Sequence, residues 1–178
     1  WNELLKSTGP DYCQRCGLNA TKYAQLNGHC PNCLDSELHY DKIARGGTYG
    51  DALGSMILAF KFGRTELNST LTFLADSALS GADFRDEITL FTPVPLHWRR
   101  RLKRGYNQSL LICKKLTKKK TKISTDLVRI RYTKPQTSMT SFAARKKNVE
   151  DAFAVRRGHK FADQNVCLVD DIKTTNAT

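Results

Sequence analysis

Apolar residues recur at Leu53, Met56, Ile57 and Phe60, the spacing of one helix face. Lys61-Phe62-Gly63-Arg64 breaks that segment. Leu67, Leu71, Leu74 and Ala78 mark a second helix, which Gly81 ends. Residues 88–95 read as a strand running into a loop, because Pro93 and Pro95 have no amide hydrogen for a ladder. The basic stretch 96–108 reads as a continuation of that loop. A helix is expected after it, with Leu110, Leu111, Cys113 and Leu116 apolar and Lys114, Lys115, Lys118, Lys119 and Lys120 polar. Residues 127–132 alternate like a strand, 134–141 read as a loop, and 145–149 as a charged turn before Ala152-Phe153-Ala154-Val155. Asn165-Val166-Cys167-Leu168-Val169 is a continuous apolar run, the pattern of a buried parallel strand. Strands interleaved with helices predict an α/β domain.

The 178 residues suffice for one such domain plus a small appendage. No run approaches the ~20 apolar residues that cross a bilayer, so no membrane insertion is expected. The start, Trp1-Asn2-Glu3-Leu4-Leu5-Lys6, lacks a basic region followed by an apolar one, so no export signal is read and a cytoplasmic location is expected. Net charge is +12 and unevenly placed. Residues 93–160 carry 20 of the 29 Lys and Arg against only Asp126, Glu150 and Asp151. A polyanionic partner, a phosphate ligand and a solvated basic surface are all compatible with that asymmetry.

Four of the six cysteines form two CxxC pairs, Cys13-Gln14-Arg15-Cys16 and Cys30-Pro31-Asn32-Cys33. Each pair can aim two thiolates at one point, and four thiolates complete a closed tetrahedral zinc site. Gly17 and Pro31 suit the tight turns required. A redox dithiol and two disulfides remain the alternatives, and His29 could stand in for one ligand. Four sulfurs leave no position for a catalytic water. The segment has too few apolar residues for its own core, so metal would supply its folding energy. The organisation read here is a four-cysteine zinc module over 1–40 and the α/β domain over 41–178. Cys113 and Cys167 read as small core residues.

The last strand empties into Asp170-Asp171-Ile172-Lys173-Thr174-Thr175-Asn176-Ala177-Thr178. Ligands of open α/β sheets bind beyond the carboxyl ends of the strands. Two acids there can accept hydrogen bonds from vicinal ribose hydroxyls, directly or through Mg²⁺. The following small hydroxyl residues and successive amides suit a phosphate. The alternatives are an acidic strand end with a capping turn, or the Mg²⁺ end of a nucleoside triphosphatase. The absence of a GxxxxGK[ST] loop demotes the latter.

Residues 166–178 resemble the phosphoribosyl diphosphate loop of type I phosphoribosyltransferases. The cysteine quartet, Thr92–Leu96 with Arg104-Gly105-Tyr106-Asn107-Gln108, and Lys134-Pro135-Gln136-Thr137 with Arg145–Val149 resemble, in that order, the ComF (ComFC/GntX-like) family. The resemblance implies a Rossmann-like parallel sheet flanked by helices. It implies that Asp170 and Asp171 hold the ribose hydroxyls and that Thr174, Thr175, Asn176, Ala177 and Thr178 cradle the 5′-phosphate. Pro95 and Leu96 would open the diphosphate loop, with Arg101, Lys103 and Arg104 as its contacts. The family usually has Gly where Asn176 stands, and its fold continues past residue 178 with a helix and a strand, so the chain reads as truncated at its C-terminus.

Two functions follow from the resemblance. One is phosphoribosyl transfer from phosphoribosyl diphosphate with Mg²⁺, linked to natural competence and DNA uptake. No base or acceptor pocket is identifiable, and His97 and His159 read as surface residues. The other is binding of single-stranded DNA, alongside competence proteins such as a DNA-translocating helicase. Arg99, Arg100, Arg101, Lys118, Lys119, Lys120 and 145–147 would meet phosphates, and Trp98 and Tyr106 would offer stacking faces.

Overall fold

The structure, a computed structural model, describes residues 12–21, 30–34, 38–117 and 121–173. A single helical turn, α1 (Pro31–Leu34), follows Cys30. Helix α2 (Asp51–Lys61) buries Leu53, Ile57 and Phe60, and α3 (Asn68–Ser80) buries Leu71, Leu74 and Leu79. Both form where the apolar spacing places them, and Gly81 caps α3.

Strand β1 (Leu90–Pro93) is buried at all four positions and ends at Pro93. The basic stretch after it corrects the expectation of a loop, because Trp98–Arg104 is a helix, α4. None of its residues is buried. Caps make it instead. His97 Nδ1 accepts from the Arg99 amide at 3.3 Å, and Gly105 closes the other end at φ 85°, a conformation that costs glycine nothing. Arg101, Lys103 and Arg104 in the last turn complement the helix dipole. His97 itself is buried, not a surface residue.

Helix α5 (Gln108–Leu116) follows, then β2 (Lys122–Ile123) and β3 (Leu127–Arg129). The segment read as a charged turn is a second correction. Phe142–Val149 forms helix α6, started by Ser141 Oγ accepting from the Ala144 amide at 3.1 Å. Strands β4 (Phe153–Val155) and β5 (Val166–Val169) complete the order.

Strands β2, β1 and β5 make a parallel sheet in that order, with Leu90 opposite Val166 and Pro93 opposite Val169. Helices α2, α3 and α5 cover one face, where Phe91 and Val169 meet Phe60, Leu74 and Ile112. The expected α/β architecture is therefore present. The burial expected of β5 is not, since Val166 is 42% exposed and Leu168 51%. They alternate with Cys167 and Val169, and at this edge of the described sheet only the helix-facing side is covered. Strands β3 and β4 pair antiparallel as a separate ribbon. No helix among the described residues is long and apolar enough to cross a membrane.

Candidate functional site

The carboxyl ends of β1 and β5 lie side by side, and the Val94 amide donates to Val169 O at 2.9 Å. The Pro93–Leu96 turn and Asp170-Asp171 therefore leave the sheet together. Asn107 explains how the third segment joins them. Its Nδ2 donates to Val94 O at 3.0 Å, while its Oδ1 caps α5 by accepting from the Ser109 amide at 3.0 Å.

Capping aims the first turn of α5 at the acid pair. Ser109 Oγ donates to Asp170 Oδ1 at 3.1 Å, and Gln108 Nε2 reaches Asp171 Oδ1 at 3.5 Å. Gln108 Oε1 in turn accepts from Arg104 Nη1. From the end of α2, Lys61 Nζ lies 2.7 Å from Asp171 Oδ2, with both side chains largely withdrawn from water. Tyr106 fixes that end of α2. Its hydroxyl donates to Phe60 O and accepts from the Gly63 amide, and its ring lies 5.8 Å from that of Phe60. Tyr106 is thus turned to the core and is not an outward stacking face.

The two acids are electrostatically unequal. Desolvation, and then the charge of Asp171, hold the Asp170 carboxyl above the usual carboxylate range. Solvent still reaches Asp170, so hydration limits the size of that shift. Arg104 and Arg129 lose affinity for their protons through burial, and the nearby Asp171 and Asp170 respectively oppose that loss. Two adjacent carboxyl groups, flanked by Lys61 and Arg104 and within the field of Arg129, can grip a ligand that carries hydroxyls or a cation on one side and anionic groups on the other.

Of the basic residues expected to meet diphosphate, Arg104 is linked to Asp171 through Gln108, whereas Arg101 and Lys103 are exposed. Pro95 and Leu96 are half-buried. Thr174, Thr175, Asn176, Ala177 and Thr178, like Lys118, Lys119, Lys120 and His29, lie outside the described residues. Sequence reasoning missed Lys61 and Ser109, which reach the acids from elements far away in the chain, and Arg129, whose charge is felt by Asp170.

Arg99 and Arg100 belong to a different cluster. The Trp98 ring, 58% exposed, lies 5.6 Å from His97, and His97 meets Tyr132 edge-on at 5.1 Å. The Arg99 guanidinium stands 5.2 Å from Trp98 and 5.9 Å from Tyr132, and Arg100 5.3 Å from Tyr132. Arg100 also donates to Thr133 O at 2.6 Å, joining α4 to the ribbon. Burial, then Arg99, Arg129 and Arg100, lower the His97 pKa, which suits its role as a neutral cap acceptor. The two sequence segments 134–137 and 145–149 prove to be halves of one clasp. Asn148 accepts from the Lys134 amide and donates to Lys134 O and to Gln136 Oε1 at 3.0–3.2 Å.

The four N-terminal cysteines converge on one point. The sulfurs of Cys13, Cys16, Cys30 and Cys33 all lie within 4.8 Å of one another, and all four residues are buried. Sulfur separations are 3.7 Å for Cys13–Cys33, 3.5 Å for Cys16–Cys30 and 3.9 Å for Cys30–Cys33. Four sulfurs at ~2.3 Å from one ion stand ~3.8 Å apart on a tetrahedron, so the donor set fits a metal ion. A disulfide needs ~2.05 Å. Without a cation the thiols resist ionising together. Burial pushes Cys16 up to about 12, whereas amides of Cys16, Cys30 and Arg15 outweigh burial at Cys13 and bring it to about 6. Gly17, at φ 79°, turns the first knuckle, and a Cβ there would press on Ile43 at 3.3 Å.

Relatives decide the family. A competence protein F of Haemophilus influenzae is 32% identical over 174 residues, which span 94% of this chain and 74% of that protein. The chain belongs to the ComF family. The DNA utilization protein YhgH of Escherichia coli K12 is 30% identical over 180 residues, 96% of this chain and 75% of that one. The YhgH protein of Salmonella typhimurium is 29% identical over 175 residues. No family model and no solved structure matches this ComF-family chain.

Proposed function

We propose that this chain binds phosphoribosyl diphosphate at the ends of β1 and β5 and transfers the phosphoribosyl group, in a pathway of DNA uptake or utilisation. The observation that carries the reading is the Asp170-Asp171 pair at the carboxyl end of a parallel sheet, bonded by Ser109 and Gln108 and flanked by Lys61 and Arg104. The printed names of the relatives, competence protein F and DNA utilization protein, support the pathway.

In this reading the acids accept the ribose hydroxyls, and their oxygens can also hold Mg²⁺, which would supply neutralising charge to the diphosphate. Thr174 to Thr178 receive the 5′-phosphate. Arg104 and Lys61 sit on the anionic side. The bond from the anomeric carbon to the diphosphate oxygen breaks with its electrons leaving on diphosphate. A lone pair of the acceptor forms the new bond, and the acceptor's proton passes to solvent or to a basic group of the acceptor. The protein contributes position and electrostatic stabilisation of the departing charge. Zinc is the metal of the four-cysteine module, in a closed and structural role. The module over 1–40 and the domain over 41–178 are its two units.

Incubation with phosphoribosyl diphosphate and Mg²⁺, with release of diphosphate as the readout, tests the transfer. Release that Asp171→Asn abolishes supports it, and intact binding without release makes the site a binding pocket.

A second reading is favoured by a separate observation. Trp98, Tyr132, Arg99 and Arg100 combine exposed rings with guanidinium groups, the elements that hold unpaired bases and their phosphates. Single-stranded DNA binding there is compatible with the phosphoribose site.

A further inference from the structure

Lys173 stands two residues beyond Asp171, yet its side chain ends in the cysteine module. Its Nζ donates to the backbone oxygen of Cys16 at 2.8 Å and lies 5.8 Å from the Tyr40 ring. The Tyr40 hydroxyl donates to the same Cys16 oxygen at 3.5 Å. Arg15, between the first two cysteines, donates to Tyr40 O and, at 3.2 Å, to Leu38 O. The Cys16 carbonyl is aimed by the knuckle turn, in which the Gly17 amide donates to Cys13 O at 2.7 Å and the Cys13 amide to Leu18 O at 2.9 Å. Among the described residues that turn has thin apolar support: its cluster holds the four cysteines with Ala20 and Leu38 packed against them, Ile43 stands beside Gly17, and Arg45 Nη1 donates to Gly17 O at 2.9 Å. A metal ion on the sulfurs is therefore what would keep the carbonyl in place.

We propose that Lys173 is a positioning residue that ties the acid-bearing strand end to the metal knuckle, so that the order of residues 170–173 depends on metal at the four cysteines. What the loop then captures rests on the phosphoribosyl diphosphate reading above, whereas the tie itself does not. With metal bound, the Cys16 carbonyl restrains Lys173 and, through the short backbone link between them, Asp171. With metal lost, the carbonyl wanders and the loop has to be ordered by its ligand alone, which weakens capture. Linkage makes the coupling reciprocal, so the bound ligand also raises the affinity for the metal.

Two variants separate the tie from general damage. Lys173→Met keeps the aliphatic stem and removes the donor, and Lys173→Arg restores one. Amide hydrogen exchange over 166–173 is followed in the metal-loaded protein and after chelation, without ligand. Metal content is measured in parallel. Lys173→Met is expected to retain its metal and to exchange about tenfold faster over 170–173, the scale of losing a hydrogen bond from a charged donor. Lys173→Arg is expected to stay near wild type. Chelation should speed exchange in wild type by a similar factor and add less than about twofold in Lys173→Met, as for two changes to one interaction. Unchanged exchange in metal-loaded Lys173→Met, or equal effects of chelation in both proteins, overturns the tie. Titration with phosphoribosyl diphosphate and Mg²⁺ then reads the consequence, with the same tenfold loss expected in Lys173→Met. A wild type that shows the exchange pattern but binds no phosphoribosyl diphosphate supports the tie and removes the ligand reading.

Discussion

Lys61 and Asp171 meet at 2.7 Å with 22% and 6% of their side chains exposed, one at the end of α2 and the other just past β5. The pair fastens α2 to the strand end that carries the acids, and it places a cation where an anionic ligand would arrive.

Removing one partner leaves a nearly buried charge uncompensated. Lys61→Met is expected to lower stability by about 3 kcal/mol in urea unfolding, and Lys61→Arg by much less. An unchanged midpoint for Lys61→Met would show that water or Gln108 already satisfies Asp171.

Asp170 gives a pH dependence of opposite sign to the usual carboxylate. Its folded pKa is raised above the ordinary ~3.9, to about 7, so the folded state binds the proton more tightly than the unfolded chain does. That contribution is present below pH ~4 and is lost as pH rises through the folded value. Asp170→Asn is therefore expected to be more stable than wild type at pH 8, by roughly 1 kcal/mol after allowing for the solvent at Asp170, with the difference vanishing near pH 4. Thermal unfolding across that range measures it. A variant less stable than wild type at pH 8 would reverse the sign.

The cysteine quartet predicts one zinc ion per chain. Cys13→Ser and Cys30→Ser are each expected to lose it, because three thiolates no longer close the site. Metal analysis of the purified variants decides this, and an unchanged content would exclude the quartet as the site.

Trp98 and Tyr132 predict a stacking contribution to single-stranded DNA affinity. Alanine at either is expected to cost about 1–3 kcal/mol if a base rests there. Arg99→Ala should reduce the slope of log affinity against log salt by about 1. Affinity that does not vary with salt would exclude phosphate contacts at this surface.

The sequence showed most plainly the elements whose apolar residues repeat at the period of the structure. Helices α2 and α3 and strand β1 lie where Leu53, Ile57, Phe60, Leu71, Leu74 and Phe91 place them. Helix α4 was not legible by that signal, since it buries nothing and depends on the His97 cap and the left-handed Gly105. Helix α6 likewise depends on Ser141. In β5 the unbroken apolar run suggested two covered faces, but Val166 and Leu168 are on the open side. The acid pair was legible as a motif at a strand end. Its partners were not, because Lys61 and Ser109 reach it through tertiary packing that no local pattern encodes. Asn107 was legible only as part of a motif, and its geometry explains it as the cap that binds the Pro-Val-Pro turn to α5.

Calorimetric titration of phosphoribosyl diphosphate with Mg²⁺ into the wild-type chain and into Asp170→Asn reaches furthest into this account. Saturable binding to the wild type, weakened at least about tenfold by the single oxygen-to-nitrogen change, is the expected result. Equal affinity in both proteins, or no binding to either, would contradict it.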